Sequence, residues 1–301
     1  MPFASNPYDA LKGLSKYLRQ FRGKTFVVKL GGDLLDDPDA RKRVVEQIGV
    51  LWTMSIRLVV VHGGGNRLDQ VCQQMKLPVE KLNGRRITSP EVLDVAKMVF
   101  AGSMHTDLLA ELNKYGVPAV GLSGLDANSI RAKKRAPIYI GEENGAPKML
   151  DYGMVGDIEG VDTRLLNTLV DADYVPVIAP LTGNAQGEVF NTNADTIAAR
   201  VAAELKAEKL FYLLRVPGLL RDVDNPSSLV SWATLTKLDE MEARGELKGG
   251  MLPKAASIKS ALKGGVQAVH LVSGIHADAL LVEIFTNEGA GTMIVRDEDH
   301  G

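Results

Sequence analysis

The 301-residue chain is 45% hydrophobic and carries a formal charge of −2, from 35 basic and 37 acidic side chains. That is ample apolar material for one large domain or two lobes, with no basic excess to serve a nucleic acid. Cys72 is the only cysteine, which excludes a disulfide framework and a cysteine-based zinc site and suits a reducing cytoplasm, and no apolar run approaches the ~18 residues that span a membrane.

Residues 1–24 lack the apolar core of a signal peptide. Leu11, Leu14, Leu18 and Phe21 recur at helical spacing, Asn6 can cap the helix, Pro7 suits its first position and Asp9 favours its positive end. An amphipathic helix therefore precedes the first core strand. It packs on its own domain or serves as an arm that docks on another subunit.

Next come short apolar runs alternating with helix-like segments. The runs are TFVVKL, IRLVVVH, VPAVGLS, VPVIAPL, KLFYLLRV, QAVHLVS and GTMIV. Their nearly continuous apolar character suits strands covered on both faces, as in a parallel sheet with helices on each side. Segments such as DARKRVVEQIGVLWTM and NADTIAARVAAELKA carry helical periodicity. An open α/β sandwich is expected. Residues 131–157 break the rhythm, and APIYI, PKMLDYG and MVGDI read as short antiparallel strands of a flap. A division near Pro180 to Asn191 gives three expected parts: the helix at 1–24, a lobe at 25–180 and a lobe at 181–301.

Ligands of open α/β sheets sit beyond the carboxyl ends of the strands. Three glycine clusters fall there: Gly31-Gly32, Gly63-Gly64-Gly65 and Gly249-Gly250. Glycines let backbone N–H groups approach an anion, and a helix N-terminus adds a favourable dipole. HGGGNR lacks the G-x-G-x-x-G spacing of a dinucleotide fingerprint, and Gly23-Lys24-Thr25 precedes a strand instead of opening a helix, so it is no P-loop. Charges accompany the glycines. Lys29 lies in a buried-looking strand, where an ammonium is costly unless an anion faces it or it snorkels out. Lys254 follows GGMLP at a helix start. Arg86, in NGRRIT, can grip a carboxylate with two parallel hydrogen bonds. Asn191, Asn193 and Asp195 lie in a loop entering a helix, where Asn193 or Asp195 can be the cap. Two lysines, a guanidinium, glycine amides and one acid together match the demands of phosphoryl transfer.

GKTFVVKLGG, VVVHGGGNRLD, NGRRIT, AVGLSGLDA, GDIEGV, VPVIAPL, NTNADTIAA, KGGMLPKAASIKSALKGGVQAVHLVSG and GAGTMIV follow one another in an order and spacing that resembles the amino-acid kinase family. Within it, the chain is similar to the arginine-sensitive, hexameric enzymes that phosphorylate N-acetyl-L-glutamate. The resemblance covers nearly the whole chain and implies a three-layer αβα sandwich. It also implies an ATP- and Mg²⁺-dependent kinase of arginine biosynthesis, with the Mg²⁺ held mostly by phosphates. By the same resemblance, Lys29 and Lys254 neutralise the phosphoryl group in flight, and Asp195 holds both lysines. The amides of Gly32 and Gly64 bind that group. Gly64 and Gly65 face the substrate, whose α-carboxylate and polar groups fall to Arg86 and Asn191. Tyr17, His270, Glu283 and Gly289 match an arginine-binding site beside the N-terminal helix, which interlaces dimers into a ring. No nucleic acid or membrane partner is expected.

Two places depart from the family pattern. Leu214 and Arg215 replace the usual Thr-Asp or Ser-Asp, and Arg215 can reach a phosphate or block the nucleotide pocket. His105-Thr106 stands where Asn-Lys is common, in a helix that the resemblance assigns to the substrate lobe. Both departures read either as drift at tolerant positions or as an altered substrate or lost catalysis. Asp33 puts a negative charge close to the expected phosphates unless it points to solvent. The alternatives are a kinase for carrier-bound aminoadipate or glutamate, and an inactive arginine sensor. Retention of Lys29, Asp195 and Lys254 together speaks against the sensor.

Overall fold

All seven apolar runs become strands of one eight-stranded sheet in the computed structural model, which describes residues 7–82, 85–143, 146–222, 225–247 and 249–299. The chain begins with α1 (Pro7–Phe21) and β1 (Thr25–Leu30), then turns through the short α2 (Gly32–Leu35) into α3 (Pro38–Thr53) and β2 (Arg57–His62). It continues through α4 (Gly65–Gln74), a ribbon of β3 (Lys81–Leu82) and β4 (Arg85–Arg86), and α5 (Pro90–Lys97). A π-helical turn (Met98–Ser103) and α6 (Met104–Lys114) lead to β5 (Ala119–Ser123). The flap region holds β6 (Ile130–Lys134), β7 (Ile138–Glu143), β8 (Ala146–Leu150) and β9 (Gly156–Val161). Next are α7 (Arg164–Asp171), β10 (Val175–Ala179), β11 (Leu181–Gly183), β12 (Val189–Asn191), α8 (Ala194–Glu204) and β13 (Lys209–Leu214). The chain closes with β14 (Trp232–Thr234), α9 (Leu235–Ala243), α10 (Met251–Lys263), β15 (Ala268–Ser273), α11 (Ala279–Phe285) and β16 (Thr292–Val295). Asn6 and the side chains of Leu11 and Leu14 lie outside the described residues, as do Asn83, Gly84 and Lys248 from the sequence motifs.

The main sheet runs in the order β14-β16-β15-β13-β1-β2-β10-β5. Its pairs are parallel except β15 with β16. Strands from residues 25–179 lie on one side and strands from 209–295 on the other. Strand β14 has no counterpart among the expected runs, because three residues are too few to carry a pattern. A second sheet, β12-β11-β6-β9, and the β7–β8 hairpin account for the flap region.

Side chains alternate across a strand, and β1 shows the consequence. Phe26, Val28 and Leu30 join the core under α3, α4, α6 and α11, whereas Val27 joins the core under α7, α8, α9 and α10. Lys29 is in phase with Val27 and so faces the α8 and α10 layer. The chain leaves β1 toward β2 on one side, while β13 pairs on the other. The carboxyl end of β1 is thus the topological switch point, where such sheets open a crevice.

At the other end, α1 reaches the body through its last turn. Phe21 is buried, 5.4 Å from Phe26 ring to ring, and Tyr17 lies edge-on to Phe285. Fully buried Phe26 also stands 5.5 Å from Phe211. Phe26→Ala should cost about 3–5 kcal/mol in urea denaturation. A loss under about 1 kcal/mol would mean that the core closes around the gap.

Candidate active site

Beyond the carboxyl ends of β1 and β2 lies a cavity of about 270 Å³. Its walls bring together Lys29, Gly32, Gly64, Gly65, Arg86, Asn191 and Asp195 from the sequence-derived set. Lys254 is buried behind Asp195.

Asp195 bridges two ammonium groups. Lys29 Nζ lies 2.8 Å from Oδ1, and Lys254 Nζ donates to Oδ2 at 2.8 Å. The Lys254 bond is well directed; the Lys29 contact is ionic and off-axis, leaving Oδ1 without a formal hydrogen bond. All three side chains are buried. Local folding explains the arrangement. Asn193 caps α8 by accepting from the amides of Asp195 (2.8 Å) and Thr196 (3.1 Å), which frees the Asp195 carboxylate for the lysines. Tyr212, the β13 partner of Lys29, donates to the Asp195 carbonyl at 3.1 Å and lies beneath the Lys254 ammonium, 4.8 Å from ring centroid to Nζ. Burial would raise the Asp195 pKa, but Lys29 and Lys254 outweigh it and hold the carboxyl well below its usual range. Burial pushes Lys254 down, and Asp195 opposes that.

The glycines are sterically required. A Cβ on Gly32 would lie 2.7 Å from the Gly64 backbone, and one on Gly64 would meet Phe100 and Met104 at 2.7 Å. The two backbones thus approach each other across the β1 and β2 ends, and neither the Gly32 nor the Gly64 amide has an acceptor among the described residues. Arg86 donates to the Gly65 carbonyl at 2.9 Å and pairs with Asp69. Lys81 grips the other Asp69 oxygen at 2.7 Å. Asn191 donates to Thr88 Oγ1 at 3.1 Å. Arg135 is paired with Asp157, while Arg85, which also lines the cavity, forms no salt bridge among the described residues. Asp195 is the only acidic residue on the cavity wall among the described residues. The site therefore carries excess positive charge and suits a polyanion.

Several of these groups escaped the sequence reading. Asp69 stands four residues after Gly65, one helical turn away, and that spacing is a usable signal. Lys81, Arg85 and Arg135 look like ordinary solvated bases in the sequence. Arg215 neither reaches into the cavity nor lines it. It donates to the Asp33 carbonyl at 3.2 Å and pairs with Asp37 at 3.1 Å, so it braces the α2–α3 turn. Asp33 is correspondingly turned toward Arg215, with 3.7 Å between their charged atoms.

The second group of sequence-derived residues gathers at α11. His270 Nδ1 is 2.6 Å from Glu283 Oε1, and Lys209 Nζ is 2.9 Å from His270 Nε2. Glu283 Oε2 accepts from the amides of Ala290 (2.8 Å) and Gly291 (2.9 Å) and crowds Gly289, whose φ of +65° suits glycine. Tyr17 donates to Asn287 at 2.9 Å.

Burial lowers the pKa of His270 to about 4 and that of His62 to about 3. Both fall below the unfolded value near 6.5, so the unfolded chain binds these protons first. Their contribution to stability is whole above pH ~6.5 and shrinks as pH falls toward those folded values, by about 1.4 kcal/mol per pH unit and group. Denaturation at pH 7, 6 and 5 should show the decline, and His270→Gln should flatten it. An unchanged slope in that variant would contradict a neutral buried imidazole.

Residues 24–273 match the amino acid kinase family. The chain is 60% identical over 298 residues to the acetylglutamate kinase of Myxococcus xanthus, covering 99% of this chain and 97% of that one. It is 42% identical to the acetylglutamate kinase of Symbiobacterium thermophilum, covering 93% and 94%. Among solved structures, the N-acetylglutamate synthase of Neisseria gonorrhoeae, complexed with coenzyme A and N-acetyl-glutamate, superposes with a TM-score of 0.82 at 28% identity; the match covers 97% of this chain and 64% of the synthase. With a family match over most of its length and such relatives, the chain belongs to the amino acid kinase family.

Proposed function

We propose that the chain acts as an acetylglutamate kinase, transferring the γ-phosphoryl group of ATP to the side-chain carboxylate of N-acetyl-L-glutamate in arginine biosynthesis. The observation that carries this reading is the Lys29–Asp195–Lys254 bridge beside two unpartnered glycine amides, in a chain 60% identical to an acetylglutamate kinase.

The acceptor explains why the site needs no general base. A carboxylate with a pKa near 4 is already ionised at neutral pH, so no proton has to leave it. One carboxylate oxygen attacks the γ-phosphorus, the bond to the bridging oxygen breaks, and ADP departs with that electron pair. No proton moves. Asp195, committed to two ammonium groups, is suited to holding them and not to abstracting a proton. In this reading Lys29 and the Gly32 and Gly64 amides take the charge that the three equatorial oxygens gain, and Lys254 serves the leaving side. Arg86, pre-set by Asp69, and Asn191, pre-set by Thr88, receive the α-carboxylate. Gly65, whose carbonyl is already taken by Arg86, offers close backbone approach to the substrate. The lobe at 25–180 takes the acyl amino acid and the lobe at 181–301 takes the nucleotide.

No group of three or more His, Cys, Asp or Glu that could hold a metal ion exists among the described residues. Asp195 is engaged by lysines. This donor set fits a Mg²⁺ that would be held mostly by the nucleotide phosphates, where it would supply charge neutralisation. Among the described residues no helix is long and apolar enough to cross a membrane. The cytoplasmic location that goes with this reading rests on the likeness to acetylglutamate kinases.

The test is ADP release and hydroxylamine trapping of the acyl phosphate with Mg-ATP and N-acetyl-L-glutamate, with free glutamate as control. Turnover should require the acetylated substrate, and Lys254→Ala should lower kcat by about 100-fold or more with a small change in KM. A folded wild type that is inert toward the acetylated substrate would refute the reading.

The cluster of Tyr17, His270, Glu283 and Gly289 would bind arginine as an allosteric inhibitor, with α1 as the arm that joins dimers into a homohexamer. Glu283 is the one carboxylate of the cluster, held in place by His270 and by the Ala290 and Gly291 amides. Saturating arginine should depress the wild-type rate and leave Glu283→Gln much less affected. An arginine-independent wild-type rate would dismiss this site.

A further inference from the structure

His62, the last residue of β2, and His105, on the first turn of α6, form a buried imidazole pair that the transfer chemistry above does not use. His62 Nδ1 lies 3.1 Å from the Gly63 carbonyl oxygen, and His62 Nε2 lies 2.9 Å from His105 Nδ1. The proton positions follow by elimination. A carbonyl can only accept, so His62 Nδ1 carries the hydrogen. A neutral imidazole then has only an acceptor at Nε2, so His105 Nδ1 must be the donor to it. The relay runs from His105 through His62 to the Gly63 oxygen.

That oxygen belongs to the Gly63–Gly64 peptide. In a planar trans peptide the C=O and N–H point in opposite directions. Fixing the Gly63 oxygen toward His62 therefore turns the Gly64 N–H the other way, and this N–H has no acceptor among the described residues. We propose that His105 is a positioning residue for phosphoryl transfer: through His62 it locks the Gly63–Gly64 peptide so that the Gly64 amide stays aimed at the transferred group. The inference rests on the reading of Gly64 as a phosphoryl-binding amide.

The surroundings serve the same end. A diglycine peptide flips readily, because no Cβ opposes rotation on either side. Phe100, in the π-helical turn, and Met104, at the start of α6, fill the space a Gly64 Cβ would need. Gly121 on β5 leaves room for the His105 ring, since a Cβ there would sit 2.2 Å from its Nε2. A single off-axis donor at an oxyanion site is enough to cost a large factor in rate.

The experiment uses the full chain and the variants His105→Ala and His105→Asn. His105→Ala should lower kcat about 10- to 100-fold with KM for the acyl amino acid within about 3-fold. His105→Asn, whose side-chain amide can donate to the same His62 nitrogen, should recover most of that loss at equal or lower thermal stability. Imidazole ¹⁵N spectra of the wild type should show both rings protonated at Nδ1. Three results would overturn the relay: wild-type kcat in folded His105→Ala, equal losses in both variants, or His62 protonated at Nε2. Should His105→Ala fail to fold, His105→Asn and the spectra still decide. An inert wild type with the expected tautomers would instead strike the kinase reading and leave the relay standing.

Discussion

One buried carboxylate between two ammonium groups governs the architecture of this site. Two lysines cannot be brought into a dry crevice without an anion, and Asp195 is the anion that is always present. The bridge leaves the trio with a net single positive charge. It also fixes the separation of two cations that come from different parts of the fold, one from the central strand and one from α10. Much else follows from that requirement. Asn193 caps α8 so that Asp195 need not, and Tyr212 holds the Asp195 backbone from below. At the switch point of the sheet, β1, α8 and α10 converge on one strand end.

The same logic of fixed charge recurs at the substrate side. Arg86 is held by Asp69 and by the Gly65 carbonyl, so its guanidinium is oriented before any ligand arrives. Side chains held in this way lose little freedom on binding. The unequal balance of bases and acids around the cavity then favours an acidic amino acid and a nucleotide together, each of which brings more than one negative charge.

Much of this was legible in the sequence, because strand and glycine signals are local. Near-continuous apolar runs mark buried parallel strands, and GG or GGG directly after them marks the ends of β1 and β2, whereas Gly249-Gly250, also expected at a strand end, lies between α9 and α10 because no apolar run precedes it. Lys29 stood out because a lysine is unusual in such a run. The unread parts are those that depend on partners distant in the chain. Arg215 looked as though it belonged to the nucleotide pocket, yet Asp33 and Asp37 claim it across the turn between α2 and α3. Asp195 and Asn193 were equivalent candidates for the helix cap until the lysines took one of them. His105 looked like a drifted position, and nothing local in GSMHTDLL says that its ring meets the end of β2. The α1 helix was visible from its leucine spacing, while the packing of its last turn on Phe26 depends on the tertiary fold.

The placement of β1 at the centre of the sheet has a consequence for biogenesis. Its register pairs Phe26 with Leu58 on one side and with Lys209 on the other. During translation the first strand gains one neighbour early but waits for β13, some 10 to 40 s at ordinary ribosomal speeds of roughly 5–20 residues per second. Through that interval one edge of an apolar strand stays unpaired, a template for association with other nascent chains. The long-range pairing also places this fold among slowly maturing topologies. The ammonium pair around Asp195 is completed later still, when α10 has emerged with Lys254. A chain truncated before that helix would keep Gly32 and Gly64 and leave Asp195 with Lys29 alone.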